Sequence, residues 1–224
     1  MRFSNGLGPC FCDNALDPAM SSPKHYDAIL FDFDGVLADT EPIHWRGWRD
    51  ILTPFGIDLT WEMFQRECIG VNDRDFARIL GERRVPPLGF DELWAQYPRK
   101  KELFRERVIA ERPFLPETLE LVHNLQQDYP LAVVSSSARS EIEPALVTAG
   151  IRECFRELVC GKEAANYKPA PDPYLRAAEL LASSRPLVVE DSEAGVASAQ
   201  AAGFDVVRVA DVREVAAAVR QAIE

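Results

Sequence analysis

Two aspartates, Asp32 and Asp34, stand in the stretch YDAILFDFDGVLADT between Tyr26 and Thr40. Residues two apart on an extended chain project to the same side, so the pair would offer two carboxylates to one crevice, and Gly35 allows the backbone to turn sharply away. Three further reactive groups lie downstream: Ser135-Ser136-Ser137, Lys168-Pro169 and Glu190-Asp191. Together they comprise a nucleophile, an acid/base, hydroxyl donors, a cation and a carboxylate pair for a metal. That set suits phosphoryl transfer in which a carboxylate attacks phosphorus and water later hydrolyses the acyl phosphate. Each group also has a plain reading on its own. Asp-x-Asp-Gly can be a polar turn, a serine can cap the helix that contains Glu141, Lys168 can be a solvated loop lysine, and Glu190-Asp191-Ser192 can be a helix N-cap.

The elements that must position these groups decide between the two readings. Ala28, Ile29, Leu30, Phe31 and Phe33 form a short apolar run of the kind expected of a strand buried on both faces. Beyond Pro116 the pattern alternates: helix 117–127, strand 131–135, helix 140–149 stopped by Gly150, strand 157–160, helix 173–182, strand 186–190, helix 193–202 stopped by Gly203, strand 205–209 and helix 212–223. This predicts an α/β fold with a doubly wound, Rossmann-like parallel sheet. Asp32, Asp34, the serines and Glu190-Asp191 all fall at C-terminal strand ends, the edge where such sheets bind ligands.

Residues 42–112 read as helical without a convincing strand, with DELWAQYPRKKELFRERVIAE expected as one long helix. They predict a helical cap inserted into a core formed by 25–41 and 113–224, with two short connections that would let the cap open and close. Residues 1–24 are rich in Gly, Pro, Ser and Asn and are expected to be a disordered tail, with Met20 as an alternative start.

Composition narrows the partners. A formal net charge of −11 and a pI near 4.9 argue against nucleic acid or an anionic membrane, whose binding rests on clustered Lys and Arg. A small anionic substrate remains compatible, because a divalent cation reverses the sign of an acidic pocket. Five cysteines without repeated spacing suit reduced thiols, and the Cys10-x-Cys12 pair has no second pair to complete a metal site. With no apolar run of membrane-spanning length and no apolar signal core, the chain is expected in the cytoplasm, as a monomer.

The motifs DFDGV, VVSSS, YKPAPD and VVEDSEAG, in that order, resemble those of the haloacid dehalogenase (HAD) superfamily of phosphotransferases. The likeness runs from Tyr26 to the C-terminus and is to the helical-cap subgroup that includes β-phosphoglucomutase and sugar-phosphate phosphatases. It implies Asp32 as nucleophile and Asp34 as general acid, then general base. Ser135 would hydrogen-bond the phosphoryl group, and Lys168 would offset the charge on Asp32 and phosphate. Mg²⁺ would sit on Asp32, the Asp34 backbone carbonyl and Asp191, with Glu190 as a further direct or indirect ligand. Ser136, Ser137 and Arg139 are further substrate-facing candidates.

In the cap, the resemblance assigns His44, Trp48 and Lys100 to the substrate, although His44 also reads as hinge packing and Trp48 as cap core. Where β-phosphoglucomutase carries an arginine after Gly-Val, this chain reads Gly70-Val71-Asn72-Asp73-Arg74. An acid stands at the aligned place, and Arg74 substitutes only if the loop shifts. Asp34 excludes dehalogenation, because dehalogenases of the superfamily lack an aspartate there. The expected function is Mg²⁺-dependent hydrolysis of small phosphorylated metabolites such as sugar phosphates. A β-phosphoglucomutase-type isomerase is the alternative, and a non-catalytic phosphometabolite binder is a third.

Overall fold

The computed structural model describes residues 25–69 and 73–224. The expected tail with Met20, the Cys10 and Cys12 pair and the Gly70-Val71-Asn72 segment lie outside the described residues. Among the described residues, five parallel strands form one sheet: β1 (Ala28–Phe31), β2 (Leu131–Ser135), β3 (Glu157–Cys160), β4 (Pro186–Glu190) and β5 (Asp205–Arg208), in the order β3-β2-β1-β4-β5. β1, β2 and β4 are buried throughout, which is why they read as continuous apolar runs rather than alternating ones. In the register, Phe31 lies between Val133 and Val189. The ends of all three central strands therefore meet at one sheet edge.

The helices are α1 (Glu41–Leu52), α2 (Trp61–Glu67), α3 (Asp73–Arg83), α4 (Phe90–Trp94), α5 (Tyr97–Glu111), α6 (Pro116–Leu125), α7 (Arg139–Ala149), α8 (Asp172–Leu180), α9 (Glu193–Ala201) and α10 (Val215–Ile223). Apolar clusters fill both faces of the sheet. A third cluster, built on Trp48, Leu52, Phe64, Phe76, Leu80 and Leu93, lies among α1 to α4. Ile43 of α1 and Phe104 and Val108 of α5 belong instead to a sheet cluster, so these two helices anchor the inserted segment to the sheet. Burying one such side chain contributes about 2 kcal/mol. The chain leaves and re-enters the sheet layer side by side, where Asp39 N–H donates to the Pro113 carbonyl at 2.8 Å. No helix among the described residues is long and apolar enough to cross a membrane.

Three local expectations are corrected. The long helix expected from Asp91 onward is two, because Pro98 occupies the first turn of α5; within a continuous helix its ring would clash with the preceding turn. The last helix is preceded by a tight 3₁₀ turn at Val212–Glu214, where the Asp211 carboxylate accepts from Arg213 N–H. β1 stops at Phe31, and the next residues fold back so that the Leu37 and Ala38 N–H groups both donate to the Phe33 carbonyl. Gly35, at φ +76°, makes that turn.

Candidate active site

Asp32 follows β1 directly, and its N–H donates to the Val189 carbonyl, which ties it to the sheet edge. Its carboxylate meets the Lys168 ammonium at 2.6 Å. The same ammonium reaches Glu190 Oε1 at 2.6 Å and the Val134 carbonyl at 2.9 Å, and it lies over the Tyr174 ring. Glu190 is wholly buried. Its Oε1 also accepts from the Tyr174 hydroxyl at 2.9 Å, while Oε2 accepts from the Asp191 and Ser192 N–H groups and from the Ser192 hydroxyl. Two glycines make this packing possible. A Cβ at Gly195 would lie 1.6 Å from Glu190 Oε1, and one at Gly35 would lie 2.2 Å from Asp191 Oδ2.

One lysine does not balance this much negative charge. Burial pushes the Asp32 carboxyl well above its ordinary value; Lys168 works against the rise, and Glu190, Asp191 and Asp34 add to it. Burial, then Glu190 and Asp34, push Asp191 up to about 7. Burial raises Glu190 too, but Lys168, Tyr174 and the Ser192 N–H outweigh it and hold that carboxyl below its ordinary value. Asp32, Glu190 and Asp191 each offer an oxygen within 4.8 Å of the others. An all-oxygen donor set with surplus negative charge fits a hard divalent cation, so these residues can hold a metal ion.

Asp34 sits across from this cluster. Its Oδ1 accepts from the buried Thr40 hydroxyl at 2.6 Å and lies 3.2 Å from His44 Nε2, and its Oδ2 accepts from the Ser137 hydroxyl at 3.1 Å. Burial would raise the Asp34 carboxyl, but His44, Thr40 and Ser137 outweigh it and hold it below its ordinary value. Ser135, buried at the end of β2, accepts from Ser137 N–H at 3.0 Å. Neither Ser136 nor Ser137 caps α7. Ala138 holds that position, and Glu141 Oε2 accepts from its N–H.

On the inserted helices, His44 stacks on Phe104, and its Nδ1 lies 2.9 Å from Lys100 Nζ. Lys100 is 1% exposed and donates to Asp73 Oδ2 at 3.1 Å. Asp73 also accepts from Trp48 Nε1–H at 2.9 Å and from the Tyr97 hydroxyl. A continuous polar chain thus runs from Asp34 through His44 and Lys100 to Asp73.

The structure brings together Asp32, Asp34, Ser135, Ser137, Lys168, Glu190 and Asp191 at the sheet edge, with His44, Lys100 and Trp48 joined to them through Asp34. Ser136 is exposed on the same loop. Two candidates point elsewhere. Arg74 lies over the Phe90 and Trp94 rings, and Arg139 is clamped by Glu163 and the Leu158 carbonyl, so neither cation joins the polar chain. Both arginines satisfy their planar groups on neighbours specific to the fold.

Sequence reasoning missed Thr40, Tyr174 and the role of Asp73. A usable signal existed for Tyr174: on the apolar face of α8, its hydroxyl requires a buried partner, and Lys168 and Glu190 were the candidates. Thr40 occupies the N-cap position of α1. Its side chain makes no cap bond and serves Asp34 instead.

Comparison with known proteins agrees with the geometry. Residues 29–209 match the family model described as haloacid dehalogenase-like hydrolase. The phosphorylated carbohydrates phosphatase of Thermotoga maritima is 31% identical over 182 residues, covering 80% of this chain and 82% of that protein. The fructose-1-phosphate phosphatase of Escherichia coli is 29% identical over 194 residues, covering 83% and 97%. The crystal structure of CbbY from Rhodobacter sphaeroides in complex with phosphate superposes with a TM-score of 0.68 at 26% identity, covering 82% of this chain and 87% of that one. With a family match over most of its length and the corresponding layered fold, the chain belongs to the haloacid dehalogenase-like hydrolases.

Proposed function

We propose that this chain is a Mg²⁺-dependent phosphatase of small phosphorylated metabolites, sugar phosphates among them, and that it works through a phosphorylated Asp32. The observation that carries the reading is the buried cluster in which Lys168 meets Asp32 and Glu190 beside Asp191, with Asp34 held separately on its own donors. Relatives that act on phosphorylated carbohydrates and on fructose 1-phosphate support the substrate class. Asp32, the Asp34 backbone carbonyl and Asp191 would hold Mg²⁺, with Glu190, which accepts from five donors, as a further direct or indirect ligand that also fixes Lys168 and the turn beneath. When bound, the ion offsets the repulsion between carboxylate and phosphoryl group.

In the first half-reaction an Asp32 oxygen forms a bond to phosphorus while the ester oxygen leaves and takes a proton from Asp34. In the second, Asp34 removes a proton from water as that water attacks phosphorus, which frees phosphate and restores the Asp32 carboxylate. Thr40, His44 and Ser137 favour the ionised Asp34 needed in the second half. An arriving phosphate anion raises its affinity for the proton needed in the first. Ser135 supplies a hydroxyl to the phosphoryl oxygens. Residues 42–112 act as a cap over the core formed by 25–41 and 113–224, hinging where Asp39 meets Pro113. Scattering profiles with and without a phosphate analogue and Mg²⁺ test that closure. The free, buried Cys68, Cys154 and Cys160 suit a reducing compartment, the cytoplasm.

A mutase would use the same core chemistry and would need a cap cation for a second phosphate. His44 and Lys100 approach Asp34 from the cap side, which favours that second reading, but Lys100 is already paired with Asp73. Incubation with Mg²⁺ and a panel of sugar phosphates, measuring free phosphate and positional isomers, separates the two. Release of phosphate without isomer supports hydrolysis, and glucose 6-phosphate formed from β-glucose 1-phosphate with little release reverses the order.

A further inference from the structure

Glu141 is a carboxylate that the chemistry above does not use, and it is only 5% exposed. It lies in the first turn of α7, where its Oε2 accepts from the Ala138 N–H at 3.1 Å. The cation that reaches it comes from the inserted segment: Lys101 Nζ of α5 lies 3.0 Å from the same oxygen. On the way there Lys101 crosses the Tyr97 ring, its ammonium 5.6 Å from the ring centre. The ion pair thus joins the inserted helices to the sheet domain beside the loop that carries Ser135 and Ser137.

Phe104 and Val108 seat the middle of α5 in the sheet cluster. Nearer its start, α5 faces α7 across a groove of about 440 Å³, lined by Arg99, Lys101 and Arg105 on one side and by Ser140 and Glu141 on the other. Water entering that groove offers the Glu141 carboxylate an alternative to the Ala138 N–H. A carboxylate this buried keeps its place only while a cation compensates it, because an unpaired charge is drawn back to water. The loop it holds is a reactive one. Ala138 follows Ser137, whose hydroxyl donates to Asp34 Oδ2 at 3.1 Å and whose N–H donates to Ser135 Oγ at 3.0 Å.

Resting on the phosphatase reading above, we infer that Lys101 is a positioning residue: paired with Glu141, it keeps that carboxylate on the Ala138 N–H and so holds Ser135 and Ser137 in place for the phosphoryl oxygens and for Asp34. The linkage runs from Lys101 through Glu141 and the Ala138 N–H to Ser137 and Asp34. Withdrawal of the cap takes the ammonium away, so the hydroxyls are set for reaction only while the cap lies on the core. Deleting the cation and leaving the carboxylate is therefore the damaging change. Deleting both charges is not, since Glu141→Gln keeps an oxygen for the Ala138 N–H and needs no counter-charge.

The test measures kcat/KM of the full chain with Mg²⁺ on p-nitrophenyl phosphate and on a hexose monophosphate, with urea midpoints alongside. Turnover of p-nitrophenyl phosphate by the wild-type chain tests the phosphatase reading by itself, and its absence overturns that reading and this one with it. Given that turnover, Lys101→Met is expected to lower kcat/KM roughly fivefold or more, by the same factor on both substrates, because the loop acts on the phosphoryl group they share. Adding Glu141→Gln to Lys101→Met is expected to restore kcat/KM to within about twofold of wild type. An unchanged kcat/KM in Lys101→Met, a loss confined to one substrate, or a double variant no better than Lys101→Met overturns the proposal. A lower urea midpoint with kcat/KM of the folded chain unchanged is the purely structural outcome and overturns it as well. Should Lys101→Met not fold, Lys101→Gln deletes the same charge and is read by the same criteria.

Discussion

Replacing Lys168 by Met keeps a long side chain and deletes the cation. In the wild-type chain that ammonium satisfies Asp32 Oδ1, Glu190 Oε1 and the Val134 carbonyl, and both carboxylates are nearly or fully buried. Breaking a buried ion pair by removing one partner costs about 3–5 kcal/mol, because the surviving charges stay desolvated. Here two carboxylates would be left facing each other, so the loss at pH 8 in the absence of divalent cation is expected near the top of that range, about 4–5 kcal/mol.

The sign with pH follows from Asp32 and Asp191, whose carboxyls are already raised in the folded chain. Removing Lys168 raises Asp32 further, and a carboxyl raised on folding destabilises the chain above its folded pKa and ceases to do so once protonated. The gap between variant and wild type should therefore narrow as pH falls from 8 to 5. Mg²⁺ should stabilise each chain by about 2.7 kcal/mol at a hundredfold excess over that chain's own Kd, so it narrows the gap to the extent that the variant, with more unpaired negative charge, binds the ion more tightly than wild type. Urea unfolding at each pH, with and without the ion, measures all three. A variant within about 1 kcal/mol of wild type at pH 8, or a gap that widens on acidification, would refute the electrostatic reasoning.

Gly195→Ala places a Cβ 1.6 Å from the oxygen of a fully buried glutamate fixed by five donors, so it should destabilise the chain by at least about 2 kcal/mol in urea. An unchanged midpoint would mean that Glu190 is free to move. Asp27 pins residues 183–185, accepting from the Ser183 and Ser184 hydroxyls and from the Ser184 and Arg185 N–H groups. Burial would raise its carboxyl, but these hydrogen bonds outweigh it and hold it at about 2. Its contribution is present above the unfolded value and lost as pH falls toward 2, so Asp27→Ala should cost about 1 kcal/mol at pH 7 after solvent screening, with the gap closing below pH ~4. Paired urea titrations at pH 7 and pH 3 check the direction.

The central strands were legible because burial on both faces leaves a continuous apolar run, and β2, β3 and β4 begin and end where those runs do. Their reactive ends followed from the general placement of ligands at that edge. Partners were less legible. That Asp34 takes Thr40, His44 and Ser137 depends on a turn at Gly35 and on the angle at which α1 leaves the sheet, and neither has a sequence period. The pairing of Asp73 with Lys100 was not legible because it joins residues on two different helices. Arg74 and Arg139 read as substrate cations because nothing local predicts the rings of Phe90 and Trp94 or the carboxylate of Glu163. The break between α4 and α5, by contrast, was written in Pro98.

Phosphorylation of Asp32 is the step on which the functional account turns. The direct measurement is to mix the Asp34→Asn variant with Mg²⁺ and a turned-over sugar phosphate, quench with borohydride and map the reduced residue by peptide mass spectrometry. Conversion of Asp32 to homoserine, dependent on substrate and absent from an Asp32→Asn control, is the predicted result. Phosphate release that persists at an appreciable rate in Asp32→Asn, or a reduced residue elsewhere in the chain, would contradict it.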